Sequence, residues 1–110
     1  MNFNDYQDKS KETAIYPKFG GQSWIYPALG LPSEAGEITN KLKKVIRDGD
    51  GSIDEATRQA VKSELGDVLW YVAQLSRELG FELDDIAQSN LDKLFDRKKR
   101  SKLSGSGDNR

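Results

Sequence analysis

The 110-residue chain contains no histidine and no cysteine. Without cysteine there is no disulfide, no thiol nucleophile and no thiolate metal site, a composition that suits a reducing cytoplasm. Without histidine, imidazole zinc sites, histidine general bases and the usual serine and cysteine triads all drop out. No apolar run is long enough to cross a membrane, and no signal-peptide pattern opens the chain. The expectation is a cytoplasmic protein with no membrane partner. An excess of one charge is also missing: 17 basic residues stand against 18 acidic ones, a net charge of −1. The chain therefore presents no general field for a polyanion, and a nucleic-acid polymer is not an expected partner. Apolar residues make up only 35% against 32% charged, a thin core for a lone domain of this size, so self-association is expected. Chemistry in this chain must come from carboxylates, amines, amides and metal.

The carboxylates are not scattered. Glu34-Ala35-Gly36-Glu37 is answered by Glu64-Leu65-Gly66-Asp67. Residues at i and i+3 share one face of a helix, so each stretch presents two acids side by side. Like charges so placed repel, and a solvated helix gains nothing from them. On neighbouring antiparallel helices the two pairs would face each other, and four acids gathered at one place need cations to hold them.

The rest of the chain reads as the frame for this cluster. Asn2 to Ala14 is expected to form a short helix, ended by Pro17, Gly20 and Gly21. The aromatic stretch with Phe19, Trp24, Ile25 and Tyr26 is either a lid on the core or a stacking surface for a flat ring, and Trp24 is the candidate to stack on a base. A second helix begins between Pro27 and Ser33, with Pro32 in its first turn, and runs to Arg47. Its apolar stripe is Leu29, Leu31, Ile38, Leu42, Val45 and Ile46. Lys41 and Lys44 follow Glu37 on the same face, as ordinary glutamate–lysine pairs or as groups that meet phosphate oxygens. The turn at Asp48-Gly49-Asp50-Gly51-Ser52 resembles the middle of a calcium loop. It is not an EF-hand, because Ile46 and Thr57 would fall at the first and twelfth ligand positions.

Ser52 with Glu55 reads as a capping box opening a third helix, which runs to Leu79 before Gly80. Val61, Leu65, Val68, Val72, Leu75 and Leu79 form a bundle seam along it. Glu64 and Asp67 lie beside that seam and Tyr71 continues their row, while Trp70 belongs to core or interface. A last helix, Leu83 to Arg100, has Leu83, Ile86, Leu91, Leu94 and Phe95 on its apolar side. Asn90 falls within that apolar row as a buried amide that needs partners. Lys93 and Arg97 follow it, as a solvated basic face or as a phosphate-binding row. Residues 1–103 are thus expected to form one helical domain and 104–110 a flexible tail.

Inward carboxylates on helices suit two kinds of metal site. Di-iron bundles draw nitrogen ligands from histidine, which this chain lacks. All-oxygen ligation favours Mg²⁺, with Mn²⁺ as a substitute, hard ions that keep waters for substrate phosphates. Three stretches taken together are specific: Gly30-Leu31-Pro32-Ser33-Glu34-Ala35-Gly36-Glu37, Glu64-Leu65-Gly66-Asp67-Val68-Leu69-Trp70-Tyr71, and Asn90-Leu91-Asp92-Lys93-Leu94 with Arg97. In this order they closely resemble MazG-like nucleoside triphosphate pyrophosphohydrolases, over most of the chain. The resemblance implies an all-α bundle of four to five helices, completed by homo-oligomerisation as a dimer or a dimer-of-dimers tetramer. It implies Mg²⁺-dependent cleavage of (d)NTPs between the α and β phosphates to (d)NMP and pyrophosphate, in a house-cleaning role. Glu34, Glu37, Glu64 and Asp67 would be the metal ligands and catalytic acids. Asn90, Lys93 and Arg97 would stand on the substrate side, where the reading of the residues also places Trp24, Lys41 and Tyr71. Ser33 stands where many members carry a further glutamate. Two other functions remain open at this point: a narrow pyrimidine dNTPase acting on dCTP or dUTP, and a non-catalytic helical module that binds nucleotide.

Overall fold

A computed structural model describes all 110 residues. The chain is all-α, with four helices and no strand: α1 (Phe3–Ser10), α2 (Ile25–Asp48), α3 (Glu55–Glu78) and α4 (Leu83–Lys99), with a short 3₁₀ turn at Lys11–Thr13 after α1. No helix is long and apolar enough to cross a membrane.

The long hairpin of α2 and α3 is the frame. Gly30 lies against Tyr71 near its open end, and Lys41 meets Glu64 further along. Contacts that ascend α2 and descend α3 make the pair antiparallel, the orientation that brings the two acidic stretches face to face. The approach is closest at Gly30, where a Cβ would sit 2.2 Å from the Tyr71 ring. Glycine inside a helix costs about 1 kcal/mol relative to alanine, and here it lets the ring lie directly on the α2 backbone.

Two helix starts differ from the sequence expectation. α2 begins at Ile25, with Trp24 in the capping position and no side-chain cap. The proline of the first turn is therefore Pro27, and Pro32 lies inside the helix, where it cannot donate to the Ala28 carbonyl. Both prolines precede the acidic pair, and spacing alone does not separate them. α3 is capped by Asp54, whose Oδ1 accepts the Thr57 N–H at 2.8 Å, not by a box between Ser52 and Glu55. The Ser52 N–H is already held by Asp50 Oδ1 at 2.8 Å, and Glu55 turns to Arg58 and Gln59. An ionised acceptor at the positive end of a helix outcompetes a hydroxyl. The stop at Gly80 is as read: its φ of +80° and the bonds Phe81 N–H to Ser76 and Gly80 N–H to Arg77 make a Schellman turn.

The interior where α1 joins α3 and α4 is largely polar. Gln7 is buried; its Nε2 donates to the Phe81 carbonyl at 2.9 Å, and its Oε1 accepts the Leu83 N–H at 3.0 Å. Asn4 accepts the next amide, that of Asp84. Two side chains of α1 thus satisfy orphan N–H groups at the start of α4, whose own cap position, Glu82, makes no side-chain bond. Gln74, fully buried, donates to Ser10 Oγ at 2.7 Å, and Ser10 donates to the Gln7 carbonyl.

Ala73, Leu83 and Pro27 are the buried apolar side chains. The apolar residues of the α3 seam and of α4 occupy the faces expected of them, yet Leu65, Leu79, Ile86, Leu91, Leu94 and Phe95 remain exposed. Asn90 is exposed as well, which corrects its expected burial: α4 packs on α1 and α3 without covering that row. In the last turn of α4, Arg97 is buried and donates to the Asp108 carbonyl, while the Arg110 guanidinium bonds the Gly107 and Leu103 carbonyls.

Candidate active site

The helix hairpin sets one carboxylate of α2 against two of α3. Oxygens of Glu34, Glu64 and Asp67 lie within 4.8 Å of one another, with Glu34 and Glu64 half-buried and Asp67 exposed. Glu37, one turn beyond Glu34, is exposed and stands outside this trio. Lys41 crosses from α2 to place its Nζ 3.2 Å from Glu64 Oε1.

The crowding of acids is felt most at Glu34. Burial, a hydrogen bond with the Glu64 carboxyl and then the negative charges of Asp67, Glu64 and Glu37 all push its pKa above the ordinary glutamate value. Each cause favours the neutral acid: burial strips the charge of its hydration, and the neighbouring carboxylates repel it. The same field reaches two phenols. Tyr6 is raised by burial and by the charge of Asp67. Tyr71 is raised by burial, by Tyr26, and by the charges of Glu34 and Asp67. Oxygen ligands at this spacing, short of positive charge, match a hard divalent cation, and the trio is the group of residues that would hold it.

Next to the acids stands a wall of aromatic rings. Tyr71 packs edge-on to Trp70 at 5.1 Å and tilts against Tyr26 at 6.4 Å. Tyr26 in turn stacks on Tyr16 at 5.8 Å, nearly parallel. The loop before α2 is fastened to α3 from this side: Tyr16 donates to Glu78, and Trp70 Nε1 donates to Thr13 Oγ1 at 2.9 Å. Burial and the Glu78 carboxylate push the Tyr16 pKa up to about 12, against the opposing Arg77 charge.

The sequence-predicted residues are thus divided. Glu34, Glu64, Asp67, Lys41 and Tyr71 come together. Trp24 is half-exposed at the start of α2 and is not among the stacked rings. Asn90 and Lys93 line a separate groove of about 470 Å³ with Phe81, Asp85, Ile86 and Ser89. Arg97 lies beneath the C-terminal residues. Tyr6 and Tyr16 are the neighbours that sequence reasoning missed, since each comes from a segment well before the acids and no local periodicity marks it. Tyr26, two turns before Glu34 on α2, belongs to the aromatic stretch already singled out, where Trp24 is the preferred candidate.

Comparison with known proteins points the same way. The model of the MazG nucleotide pyrophosphohydrolase domain matches residues 27–101, more than half of the chain and all of α2, α3 and α4 except Ile25 and Tyr26 at the start of α2. The chain is 48% identical over 114 aligned positions to Gene 37 protein of Mycobacterium phage L5, with both chains covered in full. No solved structure matches it. The chain belongs to the MazG nucleotide pyrophosphohydrolase domain family.

Proposed function

We infer that this protein is a Mg²⁺-dependent nucleoside triphosphate pyrophosphohydrolase, cleaving (d)NTPs between the α and β phosphates to (d)NMP and pyrophosphate. The observation that carries the reading is the convergence of Glu34, Glu64 and Asp67 within 4.8 Å in a chain of this family. These three would hold the ion, whose chemistry is neutralisation of phosphate charge and a lower pKa for water in its shell. Glu37, one turn beyond Glu34 on α2 and outside the trio, is the carboxylate we assign to orient the attacking water and accept its proton. Lys41 supplies positive charge at the cluster, Tyr71 borders it, and Trp24 is the candidate to cover the base. Asn90, Lys93 and Arg97 are proposed as further phosphate-side groups from α4.

The working unit is a homo-oligomer, a dimer or a dimer-derived tetramer, acting in the cytoplasm on surplus or non-standard nucleotides. Two bulk quantities support association. The accessible surface is 8001 Å², against about 6,100 Å² for a compact monomer of this mass. The radius of gyration is 17.1 Å, against about 13 Å for a compact chain of this length. The direct test is pyrophosphate release from a panel of (d)NTPs with and without Mg²⁺. Monophosphate and pyrophosphate as the products support the reading. Diphosphate and orthophosphate, or no turnover across the panel, would refute it.

A further inference from the structure

The trio of acids has a cation of its own. Lys41 lies two turns along α2 from Glu34 and one turn from Glu37, so its side chain runs along the acidic face. Its Nζ sits 3.2 Å from Glu64 Oε1, with the two side chains 32% and 16% exposed. This is the protein's one ion pair between two helices: Arg47–Asp48, Arg58–Glu55, Arg77–Glu78 and Arg100–Asp96 each join residues of a single helix or its cap. Lys41–Glu64 alone bridges two helices, and it joins an oxygen-rich cluster that has an excess of negative charge.

We propose that Lys41 is a built-in counter-cation that occupies the acid cluster in the metal-free protein and competes with the divalent ion for Glu64. The proposal rests on the metal reading given above. An ammonium 3.2 Å from a ligand oxygen would stand within a few ångströms of any ion bound by the trio. Two cations that close repel strongly in a half-buried setting. Ligation by Glu64 therefore requires the Lys41 ammonium to leave, and a four-carbon stem with free rotation lets it do so. Lys41 then has two effects of opposite sign. It stabilises the hairpin when no metal is present, and it weakens metal binding.

These opposite signs make the test. Mn²⁺ alone, without nucleotide, is titrated into the full-length wild type, Lys41→Met, Lys41→Gln and Lys41→Arg. Binding is followed by calorimetry and stability by thermal denaturation. Methionine and glutamine keep most of the stem and remove the charge; two neutral variants are used so that a folding defect in one does not decide the outcome. The expected result is a lower metal-free Tm in the neutral variants, with Mn²⁺ binding tightened on the order of tenfold. Their Tm deficit should close as Mn²⁺ saturates, and Lys41→Arg should stay near the wild type in both measurements. Equal or weaker Mn²⁺ binding in both neutral variants, while the wild type binds normally, would overturn the role of Lys41 and leave the metal reading intact. A wild type whose Tm and heat signal ignore Mn²⁺ would overturn both.

Discussion

At Glu34 the site's electrostatics act on a single side chain. Its pKa lies above the ordinary glutamate value of 4.5, because burial, Glu64, Asp67 and Glu37 all favour the neutral form. A group whose folded-state pKa is raised binds its proton more tightly when folded. Its contribution to stability is fully present below the unfolded value and is lost as pH rises through the folded one. In metal-free protein, Glu34→Gln should therefore remove part of a decline in Tm that sets in as pH climbs above about 4.5. The wild-type and variant curves should converge at lower pH, and parallel curves would contradict this origin of the shift. Gly30 is the other position where one atom decides the outcome. A Cβ there would lie 2.2 Å from the Tyr71 ring, which is held by Trp70 and Tyr26 and cannot swing aside freely. Gly30→Ala should cost about 1–3 kcal/mol in urea unfolding despite alanine's better helix propensity. A neutral or stabilising result would mean that the ring yields easily.

At the scale of elements, the helices and the approach of Glu34 to Glu64 and Asp67 were legible, because periodicity and i,i+3 spacing are local properties, whereas Glu37 stands apart from them. The places where the reading failed are those where a distant partner decides. The first amides of α4 are capped by Gln7 and Asn4 from the far end of the chain. Ser52 and Glu55 matched a capping pattern, but Asp54 offered a charged acceptor two residues later and Asp50 had already engaged Ser52. Asn90 looked buried because its neighbours at four-residue steps are apolar, and that row is open in the single chain. Tyr6 and Tyr16 could not be read at all as neighbours of the site, since only the fold brings them there. Gln7 gives the sharpest check on this level. Gln7→Ala should strand the Leu83 N–H and the Phe81 carbonyl, each left unsatisfied at about 1–3 kcal/mol. Hydrogen exchange should rise first at the amides opening α4. Loss of protection spread evenly over α2 and α3 would contradict the local role assigned to Gln7.

For the whole molecule, the balance of apolar and polar surface is the main physical fact. Leu65 and Phe95 are 55% and 61% exposed, and they lie on the apolar faces that periodicity assigns to α3 and α4. The excess over a compact monomer is about 1,900 Å² per chain, enough for the interface of a permanent dimer. Light scattering at micromolar concentration should give a mass of at least two chains, and Leu65→Lys should shift it toward one. A wild-type monomer would contradict this account of the open core. The central claim concerns the acids themselves, and the amide variants Glu64→Gln and Asp67→Asn test it most directly, because each removes one negative charge at nearly constant shape. Pyrophosphate release and Mg²⁺-dependent Tm are measured on the same samples. The account predicts that Asp67→Asn folds at least as well as the parent without metal, that Glu64→Gln gives up the Lys41 pair and gains no such stability, and that both lose the Mg²⁺-dependent rise in Tm and nearly all turnover. Retained turnover in both, with the Mg²⁺ response intact, would contradict it.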